Sequence, residues 1–544
     1  MRWMEVSQVH RHDDTRRATS LRRLAGAGTV SLLGMALALG GCAVGPKFQT
    51  PDVTTTVEQS SSVHEQPGFT RTAAPDTTWW RSFNDPTLDS LVEIAYQQNL
   101  PLQVAGLRIL EARAQLGIAA GRKWPQVQLA FGNATAVGLS ENAPNSFGLD
   151  RNFWDYQVGF DAAWEADFWG KFGHDVRAER FNVLGTMADY DNALVSLTAE
   201  VARTYAVIRT FEVLIDLGRQ NAAVQAEGLR IAQARFRNGA TSELDVAQST
   251  TLLASTQATI PQLEANLQQV ENAMCTLIGR PTGSVTALLR GSRGIPAAPA
   301  DVAVSMPADL LRRRADVRGV ELSAAAQCDR IGVAKSDLYP SLSLFGSIGL
   351  QASSGAGSLN GQTASSNLFD PGSFFYAIGP RLIWPLFNYS RITNNVRVQD
   401  ARLQQLLIDY QNTVLQAAQE VEDGLAGFVK AKEATAFQES AARGAQRSVE
   451  LAMIQYREGA VDFQRVLDAQ RSLLQEQNTL ARNQSSIATN LISLYKAMGG
   501  GWEVRQGQAV VADTTRIEMQ KRTNWGDFFS KPPEQSTSNG STRR

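Results

Sequence analysis

The chain has 544 residues, with 52 basic and 53 acidic side chains and a net charge of −1, so no global positive field argues for nucleic acid as a partner. Its four histidines and three cysteines are scattered without HExxH, CxxC or comparable spacing, so metal catalysis has no donor set and no cofactor is expected. Only 19% of residues are charged, which suits long Ala-, Gln- and Ser-rich helices standing in water.

The N-terminus reads as an address. Arg16-Arg17 and Arg22-Arg23 precede an apolar run from Leu24 to Leu39, which ends at Gly40-Gly41-Cys42. A basic region, a short apolar region and small residues before a cleavage point make residues 1–41 a signal peptide. The small-small-Cys ending reads as a lipobox, with Cys42 as the acylated first residue of the mature chain. Ala43 follows where an Asp would signal retention at the inner membrane, so the expected destination is the outer membrane. Residues 42–82 are expected to be an extended, lipid-anchored segment. Beyond Cys42 no run of about 18 apolar residues occurs, so any membrane span must come from a closed β-barrel.

Residues 83–281 form a first unit of helix, two strands and two long helices. Val127, Leu129 and Phe131 alternate with period two, as do Trp154, Tyr156, Val158, Phe160, Ala162 and Trp164. Such strands, about 10 residues long with aromatic ends, suit a tilted crossing of an outer membrane. A polar loop, Gly138 to Asn152, lies between them. Leu194, Val201, Ile208 and Ile215 then recur seven apart, with Leu197 and Phe211 on the same seam, the signature of helices packed side by side. Asn238-Gly239 ends one long helix and opens the next, and residues 282–304 are expected to be a linker.

Residues 305–502 repeat the unit. At an offset of 220, Val158-Gly159 with Trp164 falls on Ile378-Gly379 with Trp384, Phe236-Arg-Asn-Gly239 falls on Tyr456-Arg-Glu-Gly459, and Gly279 falls on Gly499. Upstream, Gly117 with Trp124-Pro125 matches Gly332 with Tyr339-Pro340 at an offset of 215. The second strand pair (Leu342, Leu344, Ile348; then Tyr376, Ile378, Leu382, Trp384) flanks a Ser353–Gly372 loop, and Leu407, Val414, Val421 and Phe428 repeat the helical seam. Residues 503–544 read as a tail, largely disordered from about Thr515. Four strands cannot close a barrel, and each unpaired backbone group in lipid costs several kcal/mol, so closure calls for more than one chain, and three chains would give 12 strands.

Cys42-Ala-Val-Gly-Pro-Lys-Phe, Trp79-Trp80 with Phe83, Trp164-Glu-Ala-Asp-Phe-Trp-Gly, Arg235-Phe-Arg-Asn-Gly239, Arg312-Arg-Arg-Ala-Asp316-Val and Tyr495-Lys-Ala-Met-Gly-Gly-Gly-Trp502 together resemble the outer membrane factor family. The nearest branch is that of NodT-type lipoproteins serving RND efflux systems, similar in architecture to TolC. The resemblance spans about residues 42–502. It implies an internally duplicated α+β membrane protein: a homotrimeric 12-stranded β-barrel continued by a 12-helix α-barrel tunnel. It also implies a periplasmic aperture formed by Asp468, nine residues after Gly459, as an acidic ring, and by Asp245 and Tyr456 as a hydrogen-bonded pair. Arg465, one helical turn before Asp468, stands where some relatives carry a second acid, and Val461 and Leu244 stand where polar latch partners occur. The tip turns Asn238, Gly239, Glu458 and Gly459 are the implied contacts of a periplasmic adaptor protein.

The expected function is a passive outer-membrane exit channel for small molecules, coupled to an inner-membrane RND transporter and an adaptor. An alternative is the exit duct of a type I protein secretion system. An acylated coiled-coil structural protein would share the lipobox and heptads but not the paired amphipathic strands. An enzyme would need Ser/His/Asp chemistry, and no such placement is visible.

Overall fold

The computed structural model describes residues 43–51, 69–71, 77–142, 151–299, 302–304, 314–354, 367–505 and 509–529. The signal peptide and Cys42 lie outside the described residues, as do 143–150 and 355–366 of the two loops and everything beyond 529. In chain order the elements are β1 (Phe69–Arg71), α1 (Pro86–Gln98), α2 (Leu100–Gly121), β2 (Val127–Gly138), β3 (Asn152–Glu165), α3 (Lys171–Arg237) and α4 (Glu243–Leu277). They continue as β4 (Val302–Val304), α5 (Ala315–Ser336), β5 (Ser341–Ser353), β6 (Phe374–Ile383), α6 (Tyr389–Arg457), α7 (Phe463–Ala497) and α8 (Asp513–Arg522). The duplication is structural. Helices α2 and α5 both have 22 residues, α3 and α6 have 67 and 69, and α4 and α7 both have 35. Among the described residues no helix is long and apolar enough to cross a membrane.

Two compact units divide the chain. The first comprises Met1–Gln49, Ala114–Phe181 and Ala324–Gln404 and holds the four-stranded sheet, ordered β2-β3-β5-β6 with every pair antiparallel. Residues directly opposite one another share a face. The pairs Trp164–Leu344, Phe160–Ile348, Ile348–Tyr376 and Gly346–Ile378 therefore assemble one apolar face, on which Tyr376 and Ile378 are each 69% exposed. The other face carries Asp155, Asp161, Ser343, Ser347, Gln351 and Arg381; Ser347 donates to Asp161 at 2.6 Å and Gln351 to Asp155 at 3.1 Å.

The apolar triplet of β2 departs from the pattern of the other strands. Leu129 is paired with Asp161 and Phe131 with Gly159, so Val127, Leu129 and Phe131 sit on the polar face. What β2 gives the apolar face is Ala130, Ala134 and Ala136, opposite Phe160, Tyr156 and Trp154. The long alternation in β3 sets the register, and a slip of one residue would turn every β3 side chain over. Below the strands the copies repeat a hydrogen bond: the Trp164 indole donates to the Lys123 carbonyl at 3.1 Å, and the Trp384 indole to the Leu338 carbonyl at 3.3 Å.

The second unit (Thr50–Arg113, Asn182–Ser323, Gln405–Arg544) holds the main core. Most of the helical seam is buried: Leu194, Val201 and Ile208 are fully buried in α3 and Val414, Val421 and Phe428 are buried in α6, while Phe211 and Leu407 are half-buried. Each such side chain contributes about 1.5–3 kcal/mol by leaving water. Trp79 closes the core, stacked on Tyr495 at 5.2 Å and edge-on to Trp80 at 5.8 Å. Asp85 caps α1 through the Thr87 N–H at 2.9 Å and also receives the Tyr205 hydroxyl at 2.5 Å and Ser292 Oγ at 2.7 Å. Burial, reinforced by the bond to Asp85, pushes the Tyr205 phenol up to about 12. Cys275 and Cys328 are buried free thiols.

The stretch expected to be a linker is packed rather than loose. Val285 and Leu289 are buried in the core, and Arg209 donates to the Leu289 carbonyl at 2.7 Å. Two arginine clamps complete this unit. The fully buried Asp191 takes Arg318 at 2.6 Å and Arg505 at 2.5 Å. Arg314 bridges Asp316 at 2.8 Å, Glu420 at 2.7 Å and the Ala497 carbonyl at 2.7 Å.

The tail expected from Thr515 onward is corrected in its described part, because α8 is a helix there. Arg516 pairs with Asp513 three residues before it at 3.0 Å, and its guanidinium lies 5.3 Å from the Phe529 ring, which also packs on Trp525. Just before α8, Val511 is buried, and the Val510 carbonyl comes so close to Gly106 that a Cβ there would stand 2.1 Å away.

Candidate gate at the helix turns

Both long-helix pairs turn in the same way. In the first copy the N–H groups of Asn238, Gly239 and Ala240 reach the carbonyls of Ala234, Phe236 and Arg235; in the second, those of Glu458, Gly459 and Ala460 reach Ile454, Tyr456 and Gln455. This six-to-one and five-to-two pairing needs a left-handed residue after the helix, and Gly239 (φ 71°) and Gly459 (φ 77°) supply it. All four predicted tip residues, Asn238, Gly239, Glu458 and Gly459, are exposed. Asp462 then caps α7 by accepting from the Arg465 N–H at 3.4 Å.

Tyr456 lies one turn inside this end and is buried, against Phe463 at 5.0 Å in a cluster with Ile231, Leu252 and Val466. Its hydroxyl donates to Asp245 Oδ2 at 3.4 Å, so the predicted pair is brought together within one chain. That contact is long for an O–H···O bond, and the short bond to Asp245 comes from the Thr241 hydroxyl. Burial and the neighbouring Asp245 charge push the Tyr456 phenol up from its ordinary value, opposed by Thr241 and Arg235. The phenol therefore stays protonated and acts as a donor.

Sequence reasoning missed Arg235 as well as Thr241. The Arg235 guanidinium lies 4.7 Å from the Tyr456 ring, donates to the Tyr456 carbonyl and lines Gly459. It thus joins the end of α3 to the end of α6. Arg235 was visible as the first letter of Arg235-Phe-Arg-Asn-Gly239, but its repeat counterpart is Gln455, so the duplication carried no hint of the contact.

Asp468 and Arg465 are both exposed on α7. Asp468 accepts from Gln464 at 3.0 Å, and the cation that reaches it is Arg471 at 3.7 Å. Arg471, one turn after Asp468, is thus the cation within loose ion-pair reach of it, with both side chains exposed. Leu244 is 61% exposed, while Val461 packs against the Tyr456 cluster, so neither extends the polar pair. Asp245 and Arg465 occupy the same repeat position, 220 apart, so the two copies present opposite charges at one place in the motif.

Near the start of the described chain, the Val44 N–H donates to the Trp169 carbonyl at 3.1 Å and Cys328 Sγ donates to the Pro46 carbonyl at 3.7 Å. Ala43 touches the position of Gly170, five residues after β3 ends.

Comparison with known proteins assigns the architecture. The family model described as "Outer membrane efflux protein" matches residues 91–280 and 306–500, more than half of the chain and one segment in each copy. The chain is 29% identical to the pyoverdine export outer membrane protein OpmQ of Pseudomonas putida over 444 residues, covering 79% of this chain and 89% of that one. It is also 29% identical to the solvent efflux pump outer membrane protein SrpC of Pseudomonas putida over 475 residues, covering 86% and 97%. The structure of the outer-membrane channel OprN superposes with a TM-score of 0.77 at 28% identity, covering 85% of this chain and all of that one. The sheet, the long paired helices and the twofold match agree: this chain is an outer-membrane protein and belongs to the outer membrane efflux protein family.

Proposed function

We propose that three copies of this chain form the outer-membrane exit duct of a tripartite efflux pump, conducting small molecules passively once coupled to an inner-membrane RND transporter and a periplasmic adaptor. The observation that carries this reading is the four-stranded sheet. One face is apolar and exposed, the other polar, and β2 and β6 have no partner on their outer edges among the described residues. In lipid those edges must be paired, and three copies meeting β6 to β2 would satisfy every one. The similarity to OpmQ, a pyoverdine export protein, and to SrpC, the outer membrane protein of a solvent efflux pump, supports small solutes as cargo and a pump as partner.

Cys42 as the lipid attachment point is supported by the docking of Ala43 and Val44 beside Gly170 and Trp169, close to the end of a barrel strand. The exposed turns at Gly239 and Gly459 are the proposed seat of the adaptor. Asp468 is the proposed acidic neck, and the cluster of Asp245, Tyr456 and Arg235 is the proposed latch. Light scattering of detergent-extracted mature protein tests the assembly: the expected mass is three chains, and a stable monomer that conducts in bilayers would overturn it.

A further inference from the structure

One row of the polar face is built of aromatic rings and glycines across all four strands. Pairing sets Phe131 opposite Gly159, Gly159 opposite Gly349, and Gly349 opposite Phe375, so four strands contribute a single Phe-Gly-Gly-Phe rung. The rings lie down over the glycines. A Cβ on Gly159 would stand 2.9 Å from Phe131 Cζ, and one on Gly349 would stand 2.9 Å from Phe375 Cε1. The second copy repeats the theme more loosely: Phe345 faces Gly379, where a Cβ would stand 3.7 Å from Phe345 Cε1. All three rings are half-buried in a single chain although no layer covers this face among the described residues, whereas Tyr376 on the opposite face is 69% exposed. A ring laid over a strand glycine restores the cross-strand packing that the glycine lacks. It also lies along the wall instead of standing away from it.

We infer that Gly159 and Gly349 set the bore of the barrel: by accepting the rings of Phe131 and Phe375 against the wall, they fix the largest solute admitted at this level. The inference rests on the reading above, in which three copies close the sheet with its polar face inward. Any side chain at either glycine displaces a ring into the lumen, once per copy. At Gly379 there is room, so a small side chain leaves Phe345 in place.

The test uses the full-length protein in planar bilayers, with polyethylene glycols of graded size added only on the extracellular side. Gly159→Ala and Gly349→Ala should each lower the largest admitted polymer by at least one size step, and Gly379→Ala should leave it unchanged. Gly159→Ala combined with Phe131→Ala should restore the original cut-off. A Cβ at Gly159 also stands 2.8 Å from the Ile348 carbonyl, and one at Gly349 2.5 Å from the Val158 carbonyl, so these variants have a reason not to assemble. In that event Phe131→Ala and Phe375→Ala decide. Removing rings that already lie flat keeps the cut-off within one step, whereas removing rings that project raises it by several. An unchanged cut-off in assembled glycine variants, or a rise of several steps in the phenylalanine variants, overturns the inference. Wild-type protein that forms no channel counts against the pore reading and not against the rung.

Discussion

The Arg235 guanidinium stands 4.7 Å from the Tyr456 ring and donates to the same residue's carbonyl, so one side chain holds both the face and the backbone of its partner. A shielded cation–π contact contributes about 0.5–2 kcal/mol and a charged hydrogen bond about 1.5–3 kcal/mol. The Tyr456 hydroxyl, reaching Asp245 at 3.4 Å, contributes less than either. Arg235→Ala should therefore raise open probability in planar bilayers by about tenfold, since 1.4 kcal/mol is a factor of ten, while Tyr456→Phe raises it only slightly. A larger effect from Tyr456→Phe would show that the hydroxyl, not the arginine, is the latch.

Asp468 is exposed and paired only loosely with Arg471, so its charge is largely available at a proposed threefold neck. Asp468→Asn should weaken cation selectivity, and Arg471→Ala should strengthen it. Arg465→Ala should change selectivity less than Arg471→Ala does. Reversal potentials in a salt gradient separate the three, and an unchanged value for Asp468→Asn would place the selectivity elsewhere.

Cys42→Ser should abolish incorporation of labelled palmitate and leave the strands able to insert. Because Val44 is tied to Trp169 by a backbone bond, the N-terminal segment should stay docked in the variant, which limited proteolysis can read. Palmitate labelling that persists would place the acyl chain on another residue.

Asp191 is fully buried between Arg318 and Arg505. Asp191→Ala leaves two arginines facing a gap and should cost about 3–5 kcal/mol, seen as a lower melting temperature and earlier cleavage near Trp502. An unchanged melting temperature would mean that water replaces the carboxylate without loss.

Burial alone would raise the Asp316 carboxyl, but the bidentate Arg314 overrides it and holds the group below the usual carboxylate range. A depressed value in the folded state gives stability that is present above about pH 4 and disappears as pH falls through the folded value. Asp316→Asn should therefore be less stable than the natural chain at pH 7, and the two melting curves should converge on acidification. A gap that persists to pH 2 would show that Asp316 acts by shape and not by charge.

Much of the fold was legible because duplication writes the same signal twice. Gly239 and Gly459, Trp164 and Trp384, and the seam from Leu194 to Ile208 are local patterns, and local patterns survive in a linear string. Features set by non-local pairing did not survive. Nothing within Val127–Phe131 says which way β2 faces, because Asp161 and Gly159 decide it from across the hydrogen-bond ladder. The pairing of Tyr456 with Asp245 was legible through the family motif. Arg235 was not, since it acts through a tertiary contact that its repeat counterpart Gln455 does not make, and Thr241 was hidden because its counterpart Val461 has no hydroxyl to bond four residues on. The helix at Asp513–Arg522 was hidden by a polar composition, its stability coming from Arg516 and the aromatic trio at Trp525, Phe528 and Phe529.

The sheet ends in two unlike edges, β2 on one side and β6 on the other. Joining one copy's β6 to the next copy's β2 is a head-to-tail contact, which closes into a ring only when the turn contributed by each copy divides a full circle. Copy number is then a property of curvature rather than of edge affinity. Substitutions that flatten or tighten the sheet, even far from either edge, would change how many chains complete the circle, or leave it a spiral that never meets itself.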